Sequence, residues 1–195
     1  MELEHITGSL ARAWEHVDAT GPKNKMYSPG LGPFDERDVV RRLINHLAQS
    51  APEVFGGLAA REVPYARSGS LDYCDLCVGR PGAWQWAIEI KVARVFRNNG
   101  DLEPSAVSHI LSPYEESALR DCVKILAFER VNRRAILIIG YDYPAYPIEV
   151  LIEDFETLAM RRVSLGGRVS AAFSGHIHPF HRQGWMFAWE VTAHQ

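Results

Sequence analysis

The residues of this chain whose types and spacing are best suited to chemistry are two acids and one lysine: Asp75, Glu89 and Lys91. Residues 71–78 and 84–92, which contain them, are rich in aromatic and β-branched residues and predict two neighbouring strands. Because side chains alternate along a strand, Glu89 and Lys91 are expected on one face. Burying an ionised group in an apolar strand costs free energy unless an opposite charge or hydrogen bonds offset it. A divalent metal would offset the charge of both carboxylates.

Helices must position these strands. Apolar residues at helical spacing predict an N-terminal helix that ends near residues 20–22. A second helix is predicted to begin after Asp35, an N-cap residue with Asp38 three positions further on. Glu36 falls one turn before Val40, on the apolar stripe of this helix.

The rest of the chain alternates between strand and helix patterns around a polar loop at residues 94–112. Further strands are predicted near residues 61–67, 135–139, 167–175 and 184–192, and further helices over 112–130 and 149–162. This order predicts an α/β protein with a mixed central β-sheet flanked by helices, formed by residues 1–195 as a single domain.

The composition is that of a globular protein, with 47% hydrophobic and 23% charged residues. Its apolar runs are too short to span a bilayer, so no membrane association is expected. The three cysteines cannot all pair within the chain, and the acidic start lacks a secretory pattern, so a cytoplasmic location is expected. A net charge of −3 excludes a uniformly basic nucleic-acid coat but allows a local basic channel.

A helix with Glu36, then a strand with Asp75, then a strand carrying Glu89 and Lys91, resembles the PD-(D/E)XK nuclease superfamily. That superfamily includes restriction endonucleases, repair and recombination nucleases and phage exonucleases. The resemblance covers about residues 35–140 and implies a restriction-endonuclease-like core. The first helix and the last two strands are interpreted as additions to that core.

The resemblance implies an endonuclease that hydrolyses DNA phosphodiester bonds with Mg²⁺, for which Mn²⁺ would substitute. Asp75, Glu89, Glu36 and the backbone carbonyl of Ile90 would bind the metal, in keeping with the preference of Mg²⁺ for oxygen ligands. Lys91 would orient or deprotonate the attacking water, or stabilise charge in the transition state. Since cutting both strands usually requires two active sites, a homodimer is a further hypothesis.

Two of these assignments have rivals. Asp72 competes with Asp75 and is expected on the opposite face of the strand; Asp75 is favoured because it leads directly into an apolar run. Glu36 also suits the first turn of a helix through the helix dipole, so Glu53 and Glu62 are alternative carboxylates. The Pro of the family name is absent, as it is in many members.

Arg67, Arg94, Arg97 and Lys124 are the candidate contacts to DNA phosphates, although each also suits ordinary solvated surface. The mild acidity of the chain favours a second interpretation, a catalytically silent nuclease-fold subunit that binds nucleic acid or a partner. A metal-dependent hydrolase acting on another substrate is a third. A surface salt bridge between Glu89 and Lys91 is the alternative that involves no site.

Other patterns are given structural interpretations. His176, His178 and His181 suggest zinc, but a fourth ligand is not evident and the segment has the composition of a loop. Cys74 and Cys77 are expected to face opposite ways in a strand as small buried residues. Four tryptophans that alternate in strands are assigned to the core: Trp84, Trp86, Trp185 and Trp189.

Overall fold

The computed structural model describes residues 1–56, 59–65, 73–114 and 116–194, and only the backbone of residues 59–62. Arg67 and Asp72 therefore lie outside the described residues, as does the side chain of Glu62. The helices are α1 Leu3–Ala19, α2 Glu36–Ser50, α3 Pro52–Phe55, α4 Ser108–Leu111, α5 Ala118–Lys124 and α6 Ile148–Ala159. The strands are β1 Ala59–Pro64, β2 Tyr73–Arg80, β3 Ala83–Ala93, β4 Val131–Tyr141, β5 Ser164–Leu165, β6 Val169–Phe173 and β7 Gly184–Thr192.

Within the described residues, seven strands form one mixed and mostly antiparallel sheet. Its order is β1-β2-β3-β4-β7-β5, and β6 also pairs with β7. β3 and β4 are parallel, and parallel neighbours need a crossover connection, which here contains α4 and α5. β7 pairs directly with β4, so the last strand of the chain lies inside the sheet.

Helices cover both faces of this sheet, as the order of elements predicts. On one face, α1 and α2 pack against the side chains of Leu76, Ile88 and Ile90. On the other face, α5 and α6 pack against those of Ala87 and Ile136. The apolar run in β4 is continuous because this central strand is buried on both sides. No helix in the described part of the chain is long and apolar enough to cross a membrane.

The start of α2 confirms the capping prediction. The side chain of Asp35 accepts a hydrogen bond of 2.7 Å from the backbone nitrogen of Asp38. Val40 and Leu43 on the predicted apolar stripe are buried against the sheet. This cap fixes the first turn of α2, and with it Glu36, beside the carboxyl end of β3.

The helix predicted over residues 112–130 is shorter than expected. α5 begins at Ala118 because the hydroxyl of Ser117 caps it, accepting a 3.2 Å hydrogen bond from the nitrogen of Arg120. It ends in a 3₁₀ turn at Ile125–Ala127, and β4 then begins earlier than predicted. The sequence favours Ser112 as the cap because Pro113 follows at the first helical position, but the structure caps this helix with Ser117.

Candidate active site: a buried carboxylate–lysine cluster

The predicted carboxylates of β2 and β3 meet where these strands separate. Regular pairing of β2 with β3 ends at Leu76 opposite Ile88. Asp75 comes directly before this point, beside Glu89, and its Oδ2 accepts a 2.7 Å hydrogen bond from the nitrogen of Ile90. Glu89 is only 1% exposed. The two acids predicted from the sequence therefore lie together.

Glu36 reaches the same place from α2. Its Oε1 lies 3.3 Å from the Nζ of Lys91, and its Oε2 accepts a 2.9 Å hydrogen bond from the nitrogen of Val92. The nitrogens of Ile90 and Val92 both lie beyond the paired part of β2, so they lack a ladder partner on that edge. The carboxylates of Asp75 and Glu36 satisfy these two donors in place of a strand.

α5 adds two residues from the opposite face. Asp121, with its side chain 6% exposed, has carboxylate oxygens 3.2 Å from the Nζ of Lys91 and 3.2 Å from that of Lys124. Lys124 also lies 3.0 Å from Oε2 of Glu89, whose Oε1 accepts a hydrogen bond from the hydroxyl of Tyr65. Sequence reasoning missed Asp121 and Tyr65. The spacing of Asp121 and Lys124, which places both on one helix face, could have indicated the first.

These contacts define the carboxylate–lysine cluster, in which four acids face two lysines. Its members are Glu36, Asp75, Glu89, Lys91, Asp121 and Lys124. It joins α2, β2, β3 and α5 at one end of the β2–β3 pair. The alternative of a surface salt bridge between Glu89 and Lys91 is not what the structure shows, because each pairs with residues of other elements.

Burial makes the ionised carboxylates of the cluster costly. Burial, and then the negative charge of Asp75, raise the pKa of Glu36 to about 7 although Lys91 opposes the shift. Burial and Asp75 likewise raise the pKa of Glu89 well above its ordinary value. Burial also raises the pKa of Asp75. A further cation close to these three acids would stabilise their ionised forms.

The two lysines stay charged. Burial lowers the pKa of Lys91, but the carboxylates of Glu36 and Asp121 outweigh it and raise this pKa above the ordinary value. The pKa of Lys124 is raised in the same way, with Glu89 and Asp121 outweighing its burial. Both side chains are therefore ammonium groups near neutral pH.

The donor set suits a hard divalent cation by its chemistry. Asp75, Glu89 and Glu36 supply carboxylate oxygens, and the carbonyl of Ile90 is the fourth predicted ligand. Among the residues described, no three His, Cys, Asp or Glu side chains are already arranged around a common metal position. The acids are neutralised instead by lysines and backbone nitrogens, so cation binding would require these side chains to rearrange.

The predicted phosphate contacts have different surroundings. Lys124 belongs to the cluster. The guanidinium of Arg94 donates a hydrogen bond to the carbonyl of Phe34, just before α2. The Nε of Arg97 lies 3.2 Å from Glu103, and its side chain is 53% exposed. Both arginines follow the end of β3, on the same side of the molecule as Val92, and line a common cavity with it.

The three histidines of the 176–181 segment form a buried polar group. His176 accepts a hydrogen bond of 3.3 Å from the indole of Trp14, and His181 Nδ1 lies 2.7 Å from the hydroxyl of Tyr143. Burial lowers the pKa of His176 and His178, and that of His181 to about 3. These side chains are held neutral in the interior and tie the loop to α1 and to the segment after β4.

Two structural predictions need correction. Cys74 and Cys77 pack into the same core, so the expectation that they face opposite ways was wrong. Alternation is interrupted because β2 leaves its pairing with β3 beyond Leu76. Trp185 is 39% exposed and is not a core residue. The other three tryptophans of the strands are buried: Trp84, Trp86 and Trp189.

Glu36→Gln is expected to flatten the pH dependence of stability. The folded-state pKa of Glu36, about 7, lies above its ordinary value of 4.5, so the folded protein binds this proton more tightly than the unfolded chain. The resulting stabilisation is fully present below pH 4.5 and is lost as the pH rises through 7. Urea unfolding without divalent metal should show that wild type gains stability relative to the variant, by up to about 3 kcal/mol, as the pH falls from 7 to 4.5.

Glu53→Gln is the matched control, because Glu53 is an exposed acid in the first turn of α3. Its stability curve should run parallel to that of wild type. If the Glu36→Gln curve does so as well, Glu36 titrates normally and the electrostatic description of the cluster is wrong.

The described fold and site define an α/β protein with a mixed sheet and a buried cluster of acids and lysines at one end of the β2–β3 pair. The chain matches no protein-family model, and comparisons with curated proteins and with solved structures return no significant match.

Proposed function

We propose that this protein is a metal-dependent nuclease of the PD-(D/E)XK type, with a restriction-endonuclease-like core, that hydrolyses DNA phosphodiester bonds. The observation that carries the proposal is the contact of Glu36 with Lys91 at 3.3 Å across 55 positions of sequence. A helix glutamate was the least obvious member of the predicted set. Its carboxylate lies close enough to that of Asp75 for the two charges to interact, which the nuclease resemblance favours and a surface salt bridge between Glu89 and Lys91 does not predict.

In this proposal Asp75, Glu89, Glu36 and the carbonyl of Ile90 hold Mg²⁺. When bound, the metal polarises the phosphodiester and lowers the pKa of a coordinated water. Lys91 acts as an ammonium, because neighbouring carboxylates raise its pKa above an already high ordinary value. As an ammonium it would orient the water or stabilise negative charge that develops on the phosphate.

A second function has an observation in its favour. Each predicted ligand of the cluster already has a protein partner: Lys91 for Glu36, Ile90 for Asp75 and Lys124 for Glu89. These partners hold the three carboxylates in place without a metal. This arrangement suits a nuclease-fold subunit that binds nucleic acid or another protein without cutting.

A cleavage assay separates the two functions. Wild type and Lys91→Met are incubated with single- and double-stranded DNA and RNA in Mg²⁺, Mn²⁺ or Ca²⁺. The nuclease proposal expects cleavage of DNA in Mg²⁺ or Mn²⁺ that falls by at least about a hundredfold in the variant. Lys23→Met, at an exposed lysine, is the control.

Binding without cleavage would favour the silent subunit. Equal cleavage by wild type and Lys91→Met would indicate another site or a contaminating nuclease, and would contradict the proposal. Circular dichroism of the variant checks that the loss does not reflect unfolding, since Glu36 and Asp121 lose a partner in it.

A further inference from the structure

A cavity of about 420 Å³ lies beside the carboxylate–lysine cluster, at the end of β3. Val92 belongs to both places: it lines the cavity, and its backbone nitrogen donates the 2.9 Å hydrogen bond to Glu36. Arg94, also in the lining, donates to the carbonyl of Phe34 at the start of α2. The cavity therefore lies next to the end of β3 that holds Glu36.

One wall of the cavity is a tight loop that follows β3. A 2.8 Å hydrogen bond from the nitrogen of Glu103 to the carbonyl of Val95 joins the two ends of the loop. A second hydrogen bond, of 2.7 Å, runs from the nitrogen of Arg97 to the carbonyl of Asp101 near its tip. Gly100, at a φ of +89°, allows the tip to pack directly on a neighbouring aromatic ring. The wall is thus built by backbone hydrogen bonds and close packing.

The lining combines three kinds of group. Tyr27, 51% exposed, and Phe96 present aromatic rings, and Asn98 presents an amide. Arg94 and Arg97 bring two positive charges against the single acid of the lining, Glu103. A planar base, its polar edge and a phosphate are matched respectively by aromatic rings, amides and arginines.

The volume of the cavity suits a small molecule or a single nucleotide unit. Its volume falls within the range of about 300–1,000 Å³ typical of small-molecule sites. A base stacked and paired inside a duplex cannot enter such a site, whereas an unpaired base can.

We propose that this cavity holds one unpaired nucleotide of a DNA strand whose adjacent phosphate lies at the carboxylate–lysine cluster. Tyr27 stacks on the base and Arg97 pairs with a phosphate. The substrate class is accordingly single-stranded or locally opened DNA rather than intact duplex. This inference rests on the proposed function in taking DNA as the polymer and the carboxylate–lysine cluster as the place of its phosphate.

The test measures binding, so it does not depend on turnover. Fluorescence anisotropy in Ca²⁺ compares a short single-stranded deoxyoligonucleotide with the matching duplex for wild type, Tyr27→Ala and Arg97→Gln. Tyr27→Ala is expected to weaken single-strand binding by on the order of tenfold and to leave duplex binding unchanged. Arg97→Gln should weaken single-strand binding and reduce its salt dependence.

Matched controls lie away from the cavity. Tyr114→Ala removes a tyrosine that is 87% exposed, and Arg162→Gln removes an exposed arginine after α6. Both should bind like wild type. In addition, 2-aminopurine at an unpaired position should lose fluorescence on binding wild type and Tyr114→Ala, but not on binding Tyr27→Ala, because the quenching requires stacking.

Equal losses on single strand and duplex, or no loss in Tyr27→Ala, would overturn the inference. A free deoxynucleoside monophosphate that binds as tightly as the oligonucleotide would also overturn it, since the site would then serve a small molecule. If the protein shows the expected binding pattern but does not cleave DNA, the nuclease proposal is rejected and the nucleotide site is supported. If the protein cleaves DNA but Tyr27→Ala has the same preference for single strand over duplex as wild type, the nucleotide site is rejected and the nuclease proposal is supported.

Discussion

Asp75→Asn is expected to reduce Mg²⁺-dependent cleavage of DNA by at least about a hundredfold while leaving the fold intact. The oxygen of an asparagine side chain can still accept the hydrogen bond that Ile90 donates to Asp75 at 2.7 Å. The substitution therefore keeps the backbone contact and removes only the negative charge that a divalent cation needs. Because burial raises the pKa of Asp75, its ionised form is unfavourable in the metal-free protein. The variant should be as stable as wild type or more stable.

The measurement pairs cleavage rates on labelled DNA with urea unfolding of the same preparations. Glu53→Gln, which neutralises an exposed acid outside the cluster, should change neither quantity. Full cleavage by Asp75→Asn would remove Asp75 from the ligand set and return Asp72 as the candidate. Loss of both cleavage and stability would show that the carboxylate serves the fold alone.

The fold was predictable where a local signal decided it. β3 has the predicted bounds, because residues 83–93 lie between a turn and a polar segment. The start of α2 follows from Asp35 as its cap. The predicted start of α5 was wrong because Ser112, followed by Pro113, has the stronger local capping signal, whereas the structure caps the helix with Ser117.

The site was predictable in part for a related reason. Asp75, Glu89 and Lys91 stand in two consecutive strands, so alternation alone relates them. Asp121 and Tyr65 enter through α5 and the end of β1, and no spacing in the sequence links them to Glu89. Contacts between elements distant in sequence depend on how α5 lies on the sheet, which local patterns do not contain.

The acids of the cluster differ in whether the fold alone explains their burial. Asp75 and Glu36 each satisfy a backbone nitrogen that has no strand partner, which explains their burial without any catalysis. Glu89 does not have that explanation among the described residues. It is 1% exposed, and within that part of the chain its hydrogen bond and its ion pair are with side chains, those of Tyr65 and Lys124. A buried carboxylate whose described partners are side chains is the better candidate for chemistry.

Lys124→Met is expected to cause the largest loss of stability of the substitutions considered, about 3 kcal/mol at alkaline pH. It leaves Glu89 buried with Tyr65 as a hydrogen-bond donor but without its cation at 3.0 Å. Burial already raises the pKa of Glu89, so in the variant this carboxyl takes up a proton as the pH falls. The destabilisation should therefore be greatest at high pH and shrink on acidification, as urea unfolding across pH would show.

The double variant Lys124→Met with Glu89→Gln should recover most of the lost stability, because the uncompensated charge is removed. Losses of stability that simply add would mean that the two side chains do not interact as the 3.0 Å contact indicates.

Lys124 was also predicted to contact a phosphate, and the double variant tests this prediction without the loss of stability that Lys124→Met alone would cause. If its affinity for DNA, measured in Ca²⁺, falls relative to Glu89→Gln alone, Lys124 binds DNA as well as neutralising Glu89. Equal affinities would mean that Lys124 only neutralises the buried carboxylate of Glu89.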